Sequence, residues 1–262
     1  MKKSARSLAI AALLAAAMAH HAAALAAQCA KQSPAHAVAL VELYTSEGCD
    51  SCPPADRWLS QLRQPGGGES VVALSLHVDY WDRLGWPDRF ASRRFTERQQ
   101  MLSRDGGTSF VYTPGVFLNL RELRGWRSPS GFHAALKQIN ARPAGADIRI
   151  ELDRASPGNL LVKADFKTGS EASAGRAQAF VALYENRLST DVRAGENRGA
   201  TLRHDYVVRE WFGPLEVGGA TQFKKAIVLE RAWKAKDLGV AAFVQAGSEL
   251  LQATALDVCT EG

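Results

Sequence analysis

Val38-Ala-Leu-Val-Glu-Leu-Tyr-Thr45 is an apolar run that leads within a few residues to Cys49-Asp50-Ser51-Cys52, and prolines follow at once. The run predicts a buried strand, and prolines are accepted in the first turn of a helix, so residues 53–62 are predicted to be helical. A CxxC pair between a strand and a helix is typical of a redox centre. The amide groups at the helix start stabilise a thiolate, which makes Cys49 the attacking cysteine and Cys52 the resolving one.

Other chemistry is also open to this cysteine pair. Asp50 disfavours the thiolate and opposes the helix effect, so we do not expect a very strong oxidant. A static structural disulfide is one alternative to redox exchange. A copper(I) site is another, because soft thiolates plus an imidazole suit that metal and His77 is the candidate third ligand. A zinc site is less favoured, since the sequence has no second CxxC and no paired histidines at ligand spacing.

The N-terminus has the pattern of a secretory signal. Basic residues precede an apolar run, Leu8 to Ala19, that is too short to span a bilayer, and Ala24-Leu25-Ala26 offers a cleavage site. We therefore predict a signal peptide over residues 1–26. The mature protein is expected to be periplasmic or secreted, with no membrane span after signal removal.

The charge of the mature chain is close to balanced. The whole chain has 32 Lys and Arg against 27 Asp and Glu, and three of the basic residues leave with the signal, so 29 remain against 27. No basic cluster interleaved with aromatic residues occurs, and a nucleic-acid partner is therefore not expected.

The two other cysteines lie near opposite ends of the mature chain. In an oxidising compartment the simplest pairing of Cys29 with Cys259 is a structural disulfide, and two unpaired thiols are the alternative. Such a bridge closes a very long loop, so it is expected to stabilise the fold strongly.

The first half of the mature chain alternates strands and helices. Strands are predicted at residues 38–45, 71–78, 115–119 and 122–125, and helices at 53–62, after Ser92 and at 129–140. This order resembles the minimal thioredoxin or glutaredoxin unit. We therefore expect a thioredoxin-like α/β domain over residues 27–142, with a mixed four-stranded sheet and flanking helices.

This topology predicts which side chains meet the cysteines. In an open α/β sheet, sites form at the carboxyl ends of parallel strands. The residues that the second strand delivers to the rim with the CxxC pair are His77, Asp79, Tyr80 and Trp81. Thr113 and Pro114 open an antiparallel strand at the same rim, where thioredoxin-like folds place a cis proline against the sulfurs. We therefore predict a cis Pro114, with the backbone of Thr113 presented to an extended substrate.

Two further predictions concern the surroundings of the pair. Tyr80, Trp81 and Trp86 either form an apolar rim for a peptide or protein substrate or cover the sheet edge. Glu42, in the first strand, is a candidate proton acceptor for the second thiol if its side chain faces the cysteines. An exposed strand position is the alternative for Glu42.

The second half of the chain has a different period. Beyond a linker-like Arg142-Pro-Ala-Gly145, apolar residues alternate with polar ones. Seven strands are predicted, at residues 148–152, 159–166, 178–184, 206–211, 223–230, 239–245 and 250–258. The pattern is typical of an immunoglobulin-like sandwich, so we expect a separate all-β domain over residues 146–262. Gly195-Glu-Asn-Arg-Gly199 is either a turn that needs positive φ or a contact with the first domain or a partner.

Four segments resemble an exported bacterial family known as domain-of-unknown-function family 1223. They are Val41-Glu-Leu-Tyr-Thr-Ser-Glu-Gly-Cys-Asp-Ser-Cys-Pro-Pro-Ala-Asp56, His77-Val-Asp-Tyr-Trp-Asp-Arg-Leu-Gly-Trp86, Thr113-Pro-Gly-Val-Phe117 and Ala194-Gly-Glu-Asn-Arg-Gly-Ala-Thr-Leu202. The resemblance implies a thioredoxin fold centred on Cys49 and Cys52, followed by a β-rich part. It implies no particular reaction.

The residues and the resemblance together lead to one functional expectation. We expect an exported thiol–disulfide oxidoreductase that exchanges disulfides with protein thiols or disulfides through Cys49 and Cys52, without a bound cofactor. The alternative is a copper(I)-binding or protein-binding module in which the CxxC pair is a metal site or a structural disulfide.

Overall fold

The computed structural model describes residues 29–62, 70–156, 158–169 and 177–259. The predicted signal peptide, residues 1–26, lies outside the described residues. Within the described ranges the chain forms fourteen strands, three α-helices and two 3-10 helices. None of the helices in these ranges is both long enough and apolar enough to cross a membrane.

Helices and strands alternate in the first half of the described chain, and strands dominate the second half. The helices are α1 (Pro53–Gln61), α2 (Arg93–Asp105) and α3 (Pro129–Asn140), with 3-10 helices η1 (Asp79–Leu84) and η2 (Ala235–Asp237). The strands are β1 (Ala30–Gln32), β2 (Ala39–Thr45), β3 (Val71–His77), β4 (Gly115–Leu118), β5 (Arg121–Glu122), β6 (Ala146–Ser156), β7 (Asn159–Thr168), β8 (Ala177–Glu185), β9 (Leu188–Asp191), β10 (Thr201–His204), β11 (Val207–Val217), β12 (Ala220–Val228), β13 (Leu238–Ala246) and β14 (Glu249–Asp257).

The predicted fold class is wrong. The chain is mostly β, and one eight-stranded sheet of order β14-β13-β8-β11-β3-β2-β4-β5 takes strands from both halves of the sequence. The halves join where β11 begins, because Val207 pairs in parallel with Ser75 of β3. The Ser75 N–H also donates to the Tyr206 carbonyl at 2.8 Å. The protein is therefore not a helix-flanked thioredoxin fold followed by a separate immunoglobulin-like sandwich.

The apolar core is shared between the two halves as well. Leu40 and Leu74, from β2 and β3, belong to the same buried cluster as Phe180 and Phe243, from β8 and β13. Helix α2 adds Phe95 to this cluster. Burial of apolar area is the main source of folding free energy, so the stability of each half depends on the other.

Two further clusters complete the core. The β2 side chains on the face opposite Leu40, such as Val41, pack with Leu59 of α1 and Leu136 of α3. A second sheet, of order β1-β6-β7-β12, packs on the C-terminal strands of the large sheet, with Ile150 and Val181 in one buried cluster. Strands β9 and β10 form a separate two-stranded hairpin, which the sequence did not predict.

The two ends of the described chain are tied together. Cys29 and Cys259 form a disulfide with their Cα atoms 5.7 Å apart, which is the pairing that the sequence predicts. Strand β1 pairs antiparallel with β6, and Lys31 Nζ donates to the Ala255 carbonyl of β14 at 2.8 Å. The bridge thus closes the sandwich of the two sheets at its N-terminal edge strand.

Candidate functional site

The CxxC pair lies between the end of β2 and the start of α1. Cys49 and Cys52 form a disulfide with Cα atoms 5.5 Å apart. Cys52 is the N-cap of α1, and its carbonyl accepts from the N–H groups of Ala55 and Asp56 at 2.8 and 3.1 Å. Both half-cystines have 0% of their surface exposed, although Asp50 between them is exposed. Solvent therefore does not reach the disulfide in this conformation.

A loop from the second half of the chain covers the CxxC segment. We call Gly195–Gly199, between β9 and β10, the cap loop. Asn197 Nδ2 donates to the carbonyls of Glu47 and Cys49, both at 2.9 Å. Glu196 Oε2 accepts from the Asp50 N–H at 3.2 Å. The two end glycines have φ values of 73° and 87°, so the loop is both a turn with positive φ and a contact with the CxxC segment.

Five ionisable side chains are buried together next to the disulfide. We call them the buried charged cluster: Glu47, Asp56, His77, Asp88 and His204. None is more than 5% exposed, and they come from the β2–α1 loop, α1, β3, the segment after η1, and β10. The two imidazole rings lie 5.0 Å apart, edge to face. So much buried charge requires pairing within the cluster.

Asp88 is the best-paired member of the cluster. Its Oδ2 accepts from His77 Nδ1 at 2.6 Å and from the Glu47 N–H at 2.8 Å, and its Oδ1 accepts from the Phe90 N–H at 2.9 Å. Burial alone would raise the pKa of Asp88, but the His77 charge and these hydrogen bonds lower it to about 2. Burial opposes protonation of His77, yet the charge and hydrogen bond of Asp88 raise the pKa of His77. The two groups therefore form a buried ion pair.

His204 attaches the β9–β10 hairpin to the CxxC segment. Its Nε2 lies 3.4 Å from Glu47 Oε1, and its Nδ1 lies 3.8 Å from Asp56 Oδ2. Trp86 Nε1 donates to the second Glu47 carboxylate oxygen at 2.9 Å. Burial raises the pKa of Asp56. The buried His204 ring therefore lies between Glu47 and Asp56, although neither of its nitrogens makes a hydrogen bond within the described part of the chain.

Thr113, Pro114 and Trp81 lie on the CxxC side of the sheet. The Thr113–Pro114 peptide bond is cis, as predicted. Trp81 Nε1 donates to Thr113 Oγ1 at 2.7 Å. A Cβ atom placed on Gly48 would lie 3.4 Å from Trp81 Cβ, so Trp81 packs directly against the residue before Cys49. The structure thus connects the cis-proline loop, Trp81 and the CxxC segment.

Asp79 and Tyr80 instead attach η1 to α2. Asp79 Oδ1 accepts from Thr96 Oγ1 at 2.5 Å, and the Tyr80 hydroxyl donates to Gln99 Oε1 at 3.2 Å. Burial raises the pKa of Tyr80 to about 12. The contacts of both side chains position η1, and with it Trp81.

Glu42 lies on the face of β2 away from α1. Its neighbours of the same parity, Leu40 and Tyr44, belong to the cluster covered by α2, whereas α1 packs on the opposite face. Its Oε1 accepts from Arg98 Nη2 at 2.7 Å. Glu42 is therefore half of a buried ion pair with Arg98, on the face of β2 away from α1, and it is not at the exposed strand position that was the alternative.

The copper(I) alternative depends on His77 as the third ligand. The Nδ1 atom of His77 is already hydrogen-bonded to Asp88 Oδ2. The Nε2 atom of His77 has no hydrogen-bond partner in the described part of the chain. Among the described residues, no three His, Cys, Asp or Glu side chains are placed to hold one metal ion.

A groove adjoins the exposed part of the CxxC turn. It has a volume of about 540 Å³, and Ser51 and Pro114 line it together with Tyr112 and Trp126. Arg127 also lines it and stacks on Trp126, with 4.5 Å between its Cζ and the ring centroid. A groove of mixed aromatic, apolar and basic side chains beside a cysteine pair suits a peptide segment.

Sequence reasoning missed Glu47, Asp56, Asp88 and His204. For the loop that holds Asn197, contact with the first domain was one of the two alternatives, and the structure shows that contact. A local signal existed for Asp56, because Cys52, Asp56 and Leu59 share one helical face, and a carboxylate on an apolar face is exceptional. Asp88 lies 11 positions from His77 and 41 from Glu47, and periodicity reports neither pairing.

Replacing Asp88 by asparagine is expected to lower the free energy of unfolding by about 3 kcal/mol near pH 6, because it leaves buried His77 without its counter-ion. The Asp88 pKa is depressed, so its contribution is present above about pH 4 and lost as pH falls toward 2. The His77 pKa is raised, so its contribution is present below about pH 6.5 and lost as pH rises through the raised value. Urea denaturation between pH 3 and 9 measures both effects.

Asp105→Asn, at the exposed end of α2, is the matched control for Asp88→Asn. It should follow the wild-type dependence of stability on pH. An Asp88→Asn protein with the wild-type dependence would show that the His77–Asp88 pair does not titrate as the geometry requires.

Comparison with known proteins identifies relatives of the whole fold. The chain is similar to protein AGR_C_4864 from Agrobacterium tumefaciens, whose crystal structure matches with 28% identity and a TM-score of 0.61 over 87% of this chain and 97% of that one. HBP35 of Porphyromonas gingivalis matches with 15% identity and a TM-score of 0.65, over 86% of this chain and 76% of that one, which shows a similar fold alone. No curated protein shows a significant match.

The family assignment comes from a profile that spans the candidate site. The profile described as "Protein of unknown function (DUF1223)" matches residues 40–245, which include the CxxC pair, the cis proline and the cap loop. This match covers well over half of the chain, and the protein therefore belongs to the DUF1223 family.

Proposed function

We propose that the protein is an exported thiol–disulfide oxidoreductase that exchanges disulfides with protein cysteines through Cys49 and Cys52. The observation that carries this proposal is the disulfide at the N-terminus of α1, with Cys52 as the N-cap. A helix N-terminus favours a thiolate. The Ser51 hydroxyl, 3.4 Å from Cys49 Sγ, can donate to the Cys49 thiolate. Two disulfides, together with the signal pattern, support export to an oxidising compartment.

The exchange proceeds in two displacements at sulfur. A substrate thiolate attacks Cys49 Sγ, the Cys49–Cys52 bond breaks, and Cys52 leaves as a thiolate that takes up a proton. A second substrate thiolate then attacks the substrate sulfur of the mixed disulfide, and Cys49 leaves. The substrate dithiol is oxidised to a disulfide while the protein disulfide is reduced to two thiols. The reverse sequence reduces a substrate disulfide.

Asp56 is our candidate for the group that moves the Cys52 proton. Cys52 and Asp56 are separated by one helical turn, and positions i and i+4 share a face. Burial raises the pKa of Asp56, so its carboxyl group can hold a proton and give it to the leaving Cys52 thiolate. Asp56 takes the role for which Glu42 was a candidate, because Glu42 is paired with Arg98.

Cys52→Ser is expected to trap mixed disulfides. Cys49 reacts with glutathione disulfide to form a glutathione mixed disulfide, a substrate thiolate then attacks Cys49 Sγ and releases glutathione thiolate, and no Cys52 thiol remains to resolve the protein adduct. Incubation with reduced, unfolded lysozyme and glutathione disulfide should give at least tenfold more protein–protein mixed disulfide with Cys52→Ser than with Cys49→Ser. Non-reducing electrophoresis and mass spectrometry of the adducts measure this ratio. Equal, low trapping by both variants would contradict a nucleophilic Cys49.

The reduction potential of the wild-type pair is the complementary measurement. Equilibration in glutathione buffers, followed by thiol labelling, should give a transition between about −270 and −120 mV, the range of thiol oxidoreductases. A pair that stays oxidised below about −300 mV would be a structural disulfide, and the proposal would then be wrong.

A further inference from the structure

The cap loop makes the hydrogen bonds with the CxxC segment that a bound polypeptide would make. On the CxxC side, the groups it satisfies are the carbonyls of Glu47 and Cys49 and the N–H of Asp50. On the loop side, an amide group donates twice and a carboxylate accepts once. These backbone groups flank the disulfide. A molecule that displaces the loop must therefore supply two donors and one acceptor to them, or the groups must hydrogen-bond to water instead.

The loop is shaped to lie directly on this surface. A Cβ atom on Gly195 would come within 3.0 Å of Trp86 Cβ, and one on Gly85 would lie 3.6 Å from Gly195 Cα. Gly85 and Gly195 both have positive φ, which glycine adopts without strain. The cap loop therefore lies in van der Waals contact with the Gly85–Trp86 backbone, beside the fully buried Cys49.

The loop also keeps its own turn without the CxxC segment. Gly199 N–H donates to the Val192 carbonyl at 2.8 Å, and Ala200 N–H donates to the Asn197 carbonyl at 3.0 Å. Its base is fixed separately, since Val192 and His204 are buried at 2% exposure each. Glu196 at the tip is exposed. The tip can therefore lift off the disulfide while the hairpin base stays in place.

We propose that the cap loop is an internal substrate mimic, which a polypeptide segment flanking a substrate cysteine displaces. The incoming segment donates backbone or side-chain N–H groups to the carbonyls of Glu47 and Cys49, and it accepts from the Asp50 N–H. A small thiol carries too few donors and acceptors to replace the loop. The inference rests on the proposed function and adds its substrate class: an unfolded or irregular polypeptide around an accessible cysteine.

Asn197→Ala removes both donors of the loop and should speed reduction of the Cys49–Cys52 disulfide by dithiothreitol at least tenfold. Asn197→Asp places an acceptor against the same two carbonyls and should give a similar increase. Arg198→Ala changes an exposed neighbour in the same loop and should stay within twofold of wild type. The rates are measured by quenched alkylation and mass spectrometry. Wild-type rates in both Asn197 variants would overturn the inference.

Hydrogen exchange distinguishes a substrate mimic from a simple cover. Cys52→Ser is joined through Cys49 to a ten-residue peptide with one central cysteine or, as the comparison, to 2-mercaptoethanol. In the peptide adduct, the amides of residues 195–199 should exchange at least tenfold faster than in the unmodified variant, while the Asp50 amide stays protected by a new acceptor. In the mercaptoethanol adduct the Asp50 amide should lose that protection whenever the loop opens.

The two proposals fail in different ways. If Cys52→Ser carrying Asn197→Ala also traps no protein thiol, the oxidoreductase proposal is wrong. If trapping succeeds but residues 195–199 keep their protection in the peptide adduct, the loop is not displaced by substrate and only the mimic is refuted.

Discussion

Replacing both Cys29 and Cys259 by serine is expected to lower the free energy of unfolding by about 5 kcal/mol. The bridge joins residues 230 positions apart, and a cross-link over so long a loop removes more entropy from the unfolded chain than a short one does. Strand β1 has only three residues, Ala30–Gln32, so it depends on this link to stay paired with β6. Urea denaturation of the oxidised proteins measures the loss.

The second disulfide supplies the control for the first. Cys49 and Cys52 are only 3 positions apart, and the same entropy argument gives roughly 2 kcal/mol for their bridge. The Cys49→Ser/Cys52→Ser protein should therefore be clearly more stable than the Cys29→Ser/Cys259→Ser protein. Equal losses in the two proteins would show that loop entropy does not govern the terminal bridge.

Arg98→Met is expected to cost about 3 to 5 kcal/mol, because it leaves the Glu42 carboxylate buried without its counter-ion. The Glu42 and Arg98 side chains are only 1% and 6% exposed, and Arg98 Nη2 lies 2.7 Å from Glu42 Oε1. The guanidinium also stacks against Phe180, Trp211 and Phe243, with 5.0 to 5.2 Å between its Cζ and the ring centroids. Arg98 thus connects α2 and β2 with strands of the second half. Thermal and urea denaturation measure the loss.

Two comparisons test this account of Arg98. Glu42→Gln/Arg98→Met removes both charges and should recover more than half of the stability lost in Arg98→Met. Arg93→Met breaks an exposed pair with Glu97 on the same helix, where the side chains are 83% and 58% exposed, and should cost less than about 0.5 kcal/mol. A double variant no more stable than Arg98→Met would show that packing on the rings, rather than the stranded carboxylate, causes the loss.

Local patterns predicted the elements of this fold far better than their assembly. The alternation beyond residue 145 marks β6, β7, β8, β11, β12, β13 and β14, but a period of two does not tell which sheet a strand joins. The continuous apolar run of β3 indicates that both faces of this strand are covered. It does not indicate which strand pairs with its edge. In the structure, β11 lies beside β3 through the single pair Val207 and Ser75. No local pattern encodes so short a junction.

In the candidate site, too, local features were predicted from the sequence and the long-range contacts were not. The CxxC pair, the cis Pro114 and the terminal bridge follow from motif, topology and compartment, and the structure contains all three. Parity groups Glu42 with Leu40 and Tyr44, but which face α1 covers depends on tertiary packing. Asn197 of the cap loop contacts Cys49 across 148 positions of sequence. The unusual composition of the loop was visible in the sequence, but the residues that it contacts were not.

The junction between β3 and β11 also has a consequence for how the chain is made. Synthesis is vectorial, so β2, β3 and β4 emerge long before Val207, and until then β3 has an open edge on the side where β11 will lie. An open apolar edge is a template for pairing with another chain. The nascent first half therefore depends on being held apart from its copies until the last third of the polypeptide has been made.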